Sequence, residues 1–173
     1  MRQVLIVVYS YTGTSRRVAQ RLAAERGWPV GEVVDAKPRS GSLRCVFDSV
    51  FRRRPAIRYT GPDPARFDVV VLVAPIWVER LSAPMRTFVA DHAARLREFA
   101  VVSVMGSKGA PNAVAEISAL TRRRPLLHAA FTRREIDDGS ALARIDVFGR
   151  AVEGAQAAAP ASLPIAALTP SAP

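Results

Sequence analysis

The chain has 173 residues, 49% of them apolar, and carries a formal net charge of +10. That length supports one domain with a substantial core, and the composition excludes a disordered chain; no apolar run approaches the ~18–20 residues that a bilayer span needs. Cys45 is the single cysteine and His92 and His128 are the only histidines, which excludes an intramolecular disulfide and leaves a zinc or iron–sulfur centre without ligands.

Nearly all of the positive charge is arginine, with Lys37 and Lys108 the only lysines. Such a field attracts anionic partners: nucleic acid, an acidic protein surface or a phosphorylated cofactor. The plainer alternative is a set of solvated arginines supplied by an arginine-rich codon usage. Met1-Arg2-Gln3 leads directly into Val4–Val8 with no small-residue cleavage site behind it, so this run reads as a strand and not as a signal peptide, and a cytoplasmic location is expected.

Val4–Val8 is wholly apolar and β-branched, as suits a strand buried on both faces of a parallel sheet. From Ser15 to Arg26 the period becomes helical, with Val18, Ala19, Leu22 and Ala23 on one face and Gly27 as the stop. A second strand fits Val30–Val34. Leu43, Val46, Phe47, Val50 and Phe51 then recur at helical spacing, between Arg39-Ser40-Gly41-Ser42 and the cationic Arg52-Arg53-Arg54.

Val69–Ala74 is the third strand, and Ser82 is the expected N-cap of a helix carrying Met85, Phe88 and Val89. A fourth strand spans Ala100–Met105, followed by the loop Gly106-Ser107-Lys108-Gly109 and a helix using Val114, Ile117 and Leu120. A fifth strand fits Ala129–Thr132. The last helix, about 140 to 158, is expected to turn Leu142, Ile145, Phe148 and Val152 inward, with Asp137-Asp138 as its N-terminal cap. Residues 159–173, rich in Ala and Pro, read as a flexible tail to a single domain at 1–158. Strands alternating with helices predict a parallel sheet covered on both faces, a three-layer α/β/α architecture.

In open α/β sheets, ligands bind beyond the carboxyl ends of the strands. Three loops stand out there. Ser10-Tyr11-Thr12-Gly13-Thr14-Ser15 joins a buried strand to a helix and holds four Ser or Thr hydroxyls; hydroxyls and amides converging on a helix N-terminus receive a phosphate. It is neither a Walker loop nor a Gly-x-Gly-x-x-Gly fingerprint. Ala74-Pro75-Ile76-Trp77-Val78-Glu79-Arg80 sets a tryptophan just past the central strand, where it can lie against a planar ligand. Met105 and Gly106–Gly109 allow close backbone approach and add one cation.

Val7-Val8-Tyr9-Ser10-Tyr11-Thr12-Gly13-Thr14-Ser15, with Ala19, resembles the phosphate loop of flavodoxins and flavodoxin-like proteins. Pro75-Ile76-Trp77, followed by Pro84-Met85-Arg86-Thr87-Phe88, is similar to their second flavin loop and its helix, and the Arg39-Ser40-Gly41 helix resembles a branch of bacterial flavodoxin-family proteins. The similarity runs over about residues 3 to 155. It implies a five-stranded parallel sheet of order 2-1-3-4-5 and a non-covalent FMN. Ser10, Tyr11, Thr12, Gly13, Thr14 and Ser15 would hold the phosphate, while Pro75, Ile76, Trp77, Val78, Glu79, Arg80, Met105, Gly106, Ser107, Lys108 and Gly109 would flank the isoalloxazine. Ser15 stands where the family usually has threonine, and the basic charge departs from the strongly acidic flavodoxins. The expected partner is therefore acidic or anionic, whether a redox protein or a small-molecule acceptor. Arg80 and Lys108 near the ring are expected to stabilise an anionic reduced flavin and raise its two-electron potential.

Three readings of function follow. The first is an FMN-binding electron carrier or oxidoreductase. The second is an NAD(P)H-dependent quinone or flavin reductase with Arg80 and Lys108 as its anion pocket. The third is a basic interaction module that has lost the flavin. The triplets Arg52-Arg53-Arg54 and Arg122-Arg123-Arg124 read as solvated helix ends, since no aromatic platform for nucleic-acid bases accompanies them. His92 and His128 read as packing or surface residues. Cys45 has neither a partner nor an activating neighbour, so no side-chain acid, base or nucleophile is assigned; the cofactor would supply the chemistry.

Overall fold

The structure, a computed structural model, describes residues 2–36 and 54–155. The expected helix at Leu43–Phe51, Cys45, Lys37, the Arg39–Ser42 loop, Arg52, Arg53 and the 159–173 tail lie outside the described residues.

Val4–Tyr9 forms β1, buried at every position. The strand pleat sends alternate side chains to opposite faces. Val4, Ile6 and Val8 therefore join one core, with Val18, Ala19 and Leu22 of α1 (Thr14–Arg26) and Ile145, Phe148 and Val152 of the last helix. Leu5, Val7 and Tyr9 join the other, with Met85, Phe88 and Val89 and with Ala113 and Ile117. β1 pairs in parallel with β2 (Val30–Asp35) on one side and β4 (Val69–Trp77) on the other. β4 pairs in parallel with β6 (Glu98–Met105), and β6 with β7 (His128–Thr132). The five parallel strands stand in the expected 2-1-3-4-5 order.

Two further strands were not expected. β3 (Ile57–Thr60) adds an antiparallel edge beside β2, and β5 (Arg80–Leu81) folds back on the end of β4. β3 is four residues long and half-exposed, so it shows no apolar run. Its anchor is Tyr59, whose ring lies over Gly31; a Cβ at Gly31 would stand 2.2 Å from the Tyr59 hydroxyl oxygen. That hydroxyl donates to the Pro62 carbonyl at 2.7 Å, and burial pushes its pKa up to about 12.

The helices are α2 (Ala83–His92), α3 (Ala110–Thr121), α4 (Arg133–Asp137) and α5 (Leu142–Gly154). One expectation about them holds in position, and three need correction. Ser82 sits at the N-cap position of α2 without a side-chain capping bond, and its hydroxyl is buried with no partner among the described residues. The last helix starts at Leu142, after the short α4, and Leu142 points outward at 46% exposure. Asp137 ends α4 and pairs with Arg17 and Arg133, while Asp138 accepts the Ser140 amide at 2.9 Å; neither caps α5. Arg123 is not simply solvated: its guanidinium donates to the carbonyls of Ala93, Leu96 and Arg97, satisfying acceptors at and just beyond the end of α2. His92 stacks on Phe88 with centroids 4.3 Å apart. Among the described residues no helix is long and apolar enough to cross a membrane.

Candidate functional site

The loop after β1 turns sharply at Gly13, whose φ of +89° places it in the left-handed region open to glycine. Thr14 then opens α1, and Thr14 and Ser15 are both buried. A helix start leaves its first amides without intrahelical partners. Here the Ser10 hydroxyl accepts the Arg16 amide at 3.2 Å and the Gly13 carbonyl accepts the Arg17 amide at 3.1 Å. Gly13, at the N-cap position, has no side chain to offer, and the amides of Thr14 and Ser15 have no hydrogen-bond partner among the described residues. The Thr12 and Thr14 hydroxyls lie 3.3 Å apart beside them. Arg16 is drawn away to β2 by a two-pronged pair with Glu32, at 3.0 and 3.1 Å, so its charge does not fill the loop. Hydroxyls, amides without a partner and the positive helix end are groups that can receive a phosphate ester.

The second expected loop is a strand end and a tight hairpin. β4 continues through Pro75, Ile76 and Trp77, and Trp77 pairs with Arg80 across a two-residue turn. Val78 and Glu79 have φ of +48° and +59°. Two positive φ values are what a type I′ turn requires, and glycine or asparagine usually provides them. A β-branched residue there is a genuine backbone outlier.

The third loop closes against this hairpin. Gly109 has φ +109°, and a Cβ on it would stand 2.5 Å from the Glu79 Cα and 2.8 Å from the Ile76 Cγ2. Lys108 pairs with Glu79 at 2.8 Å, which raises the lysine pKa through that hydrogen bond.

These elements bring Tyr11, Thr12, Thr14, Ser15, Pro75, Ile76, Trp77, Met105 and Gly106 together around a cleft of about 170 Å³. Trp77 stands between Tyr9 and Tyr11, edge-on to both, with centroids 5.8 Å apart in each case. Val78, Glu79 and Arg80 line a different space, a groove of about 810 Å³ shared with Arg54, Arg86 and the outer face of α3. Ser10, Gly13, Ser107, Lys108 and Gly109 line neither.

This placement changes the expected electrostatics. Lys108 is matched by Glu79, and Arg80 belongs to the far side of the hairpin, so these two cations do not face the cleft together. The cation that does line it is Arg133, at the end of β7. Sequence reasoning missed it because β7 and β1 are distant in the chain and only the fold brings their ends to one edge.

The residues fit a phosphorylated, planar cofactor. A polar pocket with those two amides sits at one end, and Pro75, Ile76, Trp77, Val104 and Met105 form an apolar wall at the other. Among the described residues no cluster of three or more His, Cys, Asp or Glu is placed to hold a metal.

The sequence matches no protein-family model and no curated protein. Solved structures do match in shape. A flavoprotein from Lactobacillus acidophilus, solved in complex with FMN, superposes with a TM-score of 0.64 at 16% identity, over 81% of this chain and 99% of that one. A protein from Bacteroides eggerthii described as a flavoprotein gives 0.63 at 20%, over 85% and 98%. The two-electron reduced flavodoxin of Megasphaera elsdenii gives 0.55 at 20%, over 88% and 99%. The fold is flavodoxin-like, with an added antiparallel edge.

Proposed function

We propose that the chain binds FMN non-covalently in the cleft and moves electrons through it, as a carrier or an oxidoreductase. The observation that carries this reading is the start of α1, where the Thr14 and Ser15 amides, left without a partner among the described residues, and the Thr12 and Thr14 hydroxyls share one cleft with Trp77. In this reading Ser10, Tyr11, Thr12, Gly13, Thr14 and Ser15 form the phosphate cradle, and Pro75 to Trp77 with Met105 and Gly106 flank the ring. Val78 to Arg80 and Ser107 to Gly109 hold the hairpin and loop that shape the ring's edge. Bound FMN supplies the redox chemistry; the chain's residues bind and orient it and keep water from the Trp77 side. The cleft formed by the described residues, about 170 Å³, is below the roughly 300–1,000 Å³ of most small-molecule pockets, so these residues by themselves enclose only part of the cofactor. The basic balance supports an acidic or anionic partner, and the lone cysteine supports a cytoplasmic setting.

The test is the visible spectrum of the purified chain with added FMN, followed by fluorescence titration. Quenched flavin emission that weakens about tenfold or more in Thr12→Val/Thr14→Val supports the site, the loss expected for hydroxyls bonded to a charged group. Absence of binding by the unmodified chain sinks the proposal.

A second reading, an NAD(P)H-dependent quinone or flavin reductase, is favoured by one observation. Arg54 and Arg80 both line the larger groove, and neither has a carboxylate partner among the described residues. That groove offers charge for a nucleotide phosphate. Steady-state NADPH or NADH oxidation with a quinone acceptor decides between the readings, since a pure carrier shows no turnover.

A further inference from the structure

Among the described residues, Arg133 is the one cation that shares the cleft with the hydroxyl loop. It opens α4 immediately after β7, and its side chain is two-thirds exposed. An ion pair lies one turn further along. Asp137 of α4 pairs with Arg17 of α1. Arg17 lies one turn into α1 from Gly13, and Asp137 lies one turn into α4 from Arg133. That pair fastens the two helices together, and the Arg133 side chain lines the same cleft as Thr14 and Ser15 in the first turn of α1.

The charges within this trio do not balance. Asp137 carries one negative charge and meets two guanidiniums, Arg17 in close contact and Arg133 at 3.5 Å. The hydrogen bond from Arg17 is the first cause holding the Asp137 carboxyl below its ordinary range, so the carboxylate is mainly committed to Arg17. The Arg133 contact is long and leaves its remaining N–H donors unused by Asp137. One positive charge is left over at the cleft rim, on a planar donor whose geometry matches a phosphoryl group.

We infer that Arg133 is a specificity residue of the cleft, pairing with the phosphoryl group of the bound ester and so selecting FMN over riboflavin. This rests on the flavin reading above. The loop supplies neutral hydroxyls and amides, which recognise the shape of a phosphate. Arg133 supplies the charge, and its preference weakens with ionic strength because the side chain is exposed. Asp137 positions it, held in turn by Arg17, so that the arm is directed without being neutralised.

The experiment is fluorescence titration of the full chain and of Arg133→Gln and Arg133→Lys with FMN and with riboflavin, at low and high ionic strength. Arg133→Gln is expected to weaken FMN binding about tenfold while leaving riboflavin within about twofold, the scale of one charge-assisted hydrogen bond. Arg133→Lys should recover part of the loss, and salt should shrink the FMN preference in the unmodified chain alone. An unchanged FMN-to-riboflavin ratio in Arg133→Gln overturns the assignment, as does equal weakening of both ligands. If the unmodified chain binds neither flavin, the cofactor reading itself fails; FMN binding with an unaltered ratio refutes only the role of Arg133.

Discussion

Replacing Gly109 by alanine tests whether the loop after β6 is shaped by contact with the hairpin. Two costs fall on one methyl group. The residue holds φ +109°, a region that costs an L-residue roughly 1–2 kcal/mol. The added Cβ would also sit 2.5 Å from the Glu79 Cα, which is backbone in a turn that is itself strained, so relief requires moving a main chain. Overpacking of that kind costs about 1–3 kcal/mol. The sum, about 2–5 kcal/mol, is a large share of the ~5–15 kcal/mol stability of a typical domain. For a chain of this size it predicts a fall in Tm on the order of 4–20 °C. Gly106 is the internal control: it belongs to the same loop, a Cβ added to it would meet nothing within 4 Å, and its φ is not positive. Gly106→Ala should melt within about 2 °C of the parent, or slightly above it, because it narrows the unfolded ensemble at little native cost. Thermal melts followed by circular dichroism compare the three proteins without ligand. If Gly109→Ala melts with the control, the loop yields freely and its close approach to the hairpin does not shape it.

Three further outcomes follow from the same geometry. Val78→Asn places a residue tolerant of left-handed backbone in the hairpin and should stabilise the chain by about 1 kcal/mol, raising Tm by about 2–4 °C; an unchanged or lower melt would mean that the turn is not strained. Arg86 and Glu116 form an ion pair with side chains only 3% and 11% exposed, and Arg86 also donates to the Leu81 carbonyl at 3.0 Å. Arg86→Ala should cost about 3–5 kcal/mol in urea denaturation, and a loss under about 1 kcal/mol would contradict a buried charge left unpaired. Asp146 receives a two-pronged bond from Arg21, at 3.1 and 2.8 Å, and this holds its carboxyl below the ordinary value of 3.8. A depressed folded pKa gives stability that is present above 3.8 and lost as pH falls through the folded value. Asp146→Asn should therefore be less stable than the parent at neutral pH, with the gap closing below pH 3.8; a gap independent of pH would refute the linkage.

The parallel strands were legible because burial on both faces leaves a wholly apolar run, as at Val4–Val8 and Val69–Ala74. β3 was not, since Ile57–Thr60 is short, alternating and at an edge, and its stability comes from Tyr59 packing over Gly31. The hairpin after Trp77 was hidden for a different reason. Its turn residues are Val78 and Glu79, which carry none of the Asn or Gly signal of a type I′ turn. Leu142 follows the helical stripe yet faces outward: it is the first residue of α5, and at this end of the helix Ala141 and Ile145 are the residues that enter the core. The hydroxyl loop at the start of α1 was legible from local chemistry, four hydroxyls before a helix. Arg133 carried no local signal, since its value depends on which strand ends the topology brings together.

The charge of +10 divides into paired and unpaired arginines once the pairs are placed. Arg21 with Asp146 and Arg26 with Glu153 fasten α1 to α5, Arg144 with Glu135 fastens α5 to α4, and Arg97 with Asp68 and Arg2 with Glu98 fasten the opposite ends of the strands. The carboxylates are thus largely committed to holding helices and strand starts in place. Among the described residues, three arginines without a full carboxylate partner line the two spaces, Arg54 and Arg80 the larger groove and Arg133 the cleft, while Arg58, Arg66, Arg122, Arg124, Arg134 and Arg150 are exposed outside both. Both spaces open beyond the carboxyl ends of the strands, where an open α/β sheet presents its ligand site. The unpaired positive charge, part of it at that edge, predicts that association with an anionic ligand or acidic partner slows steeply as salt rises, while fold stability, resting on the paired charges and the apolar core, changes far less.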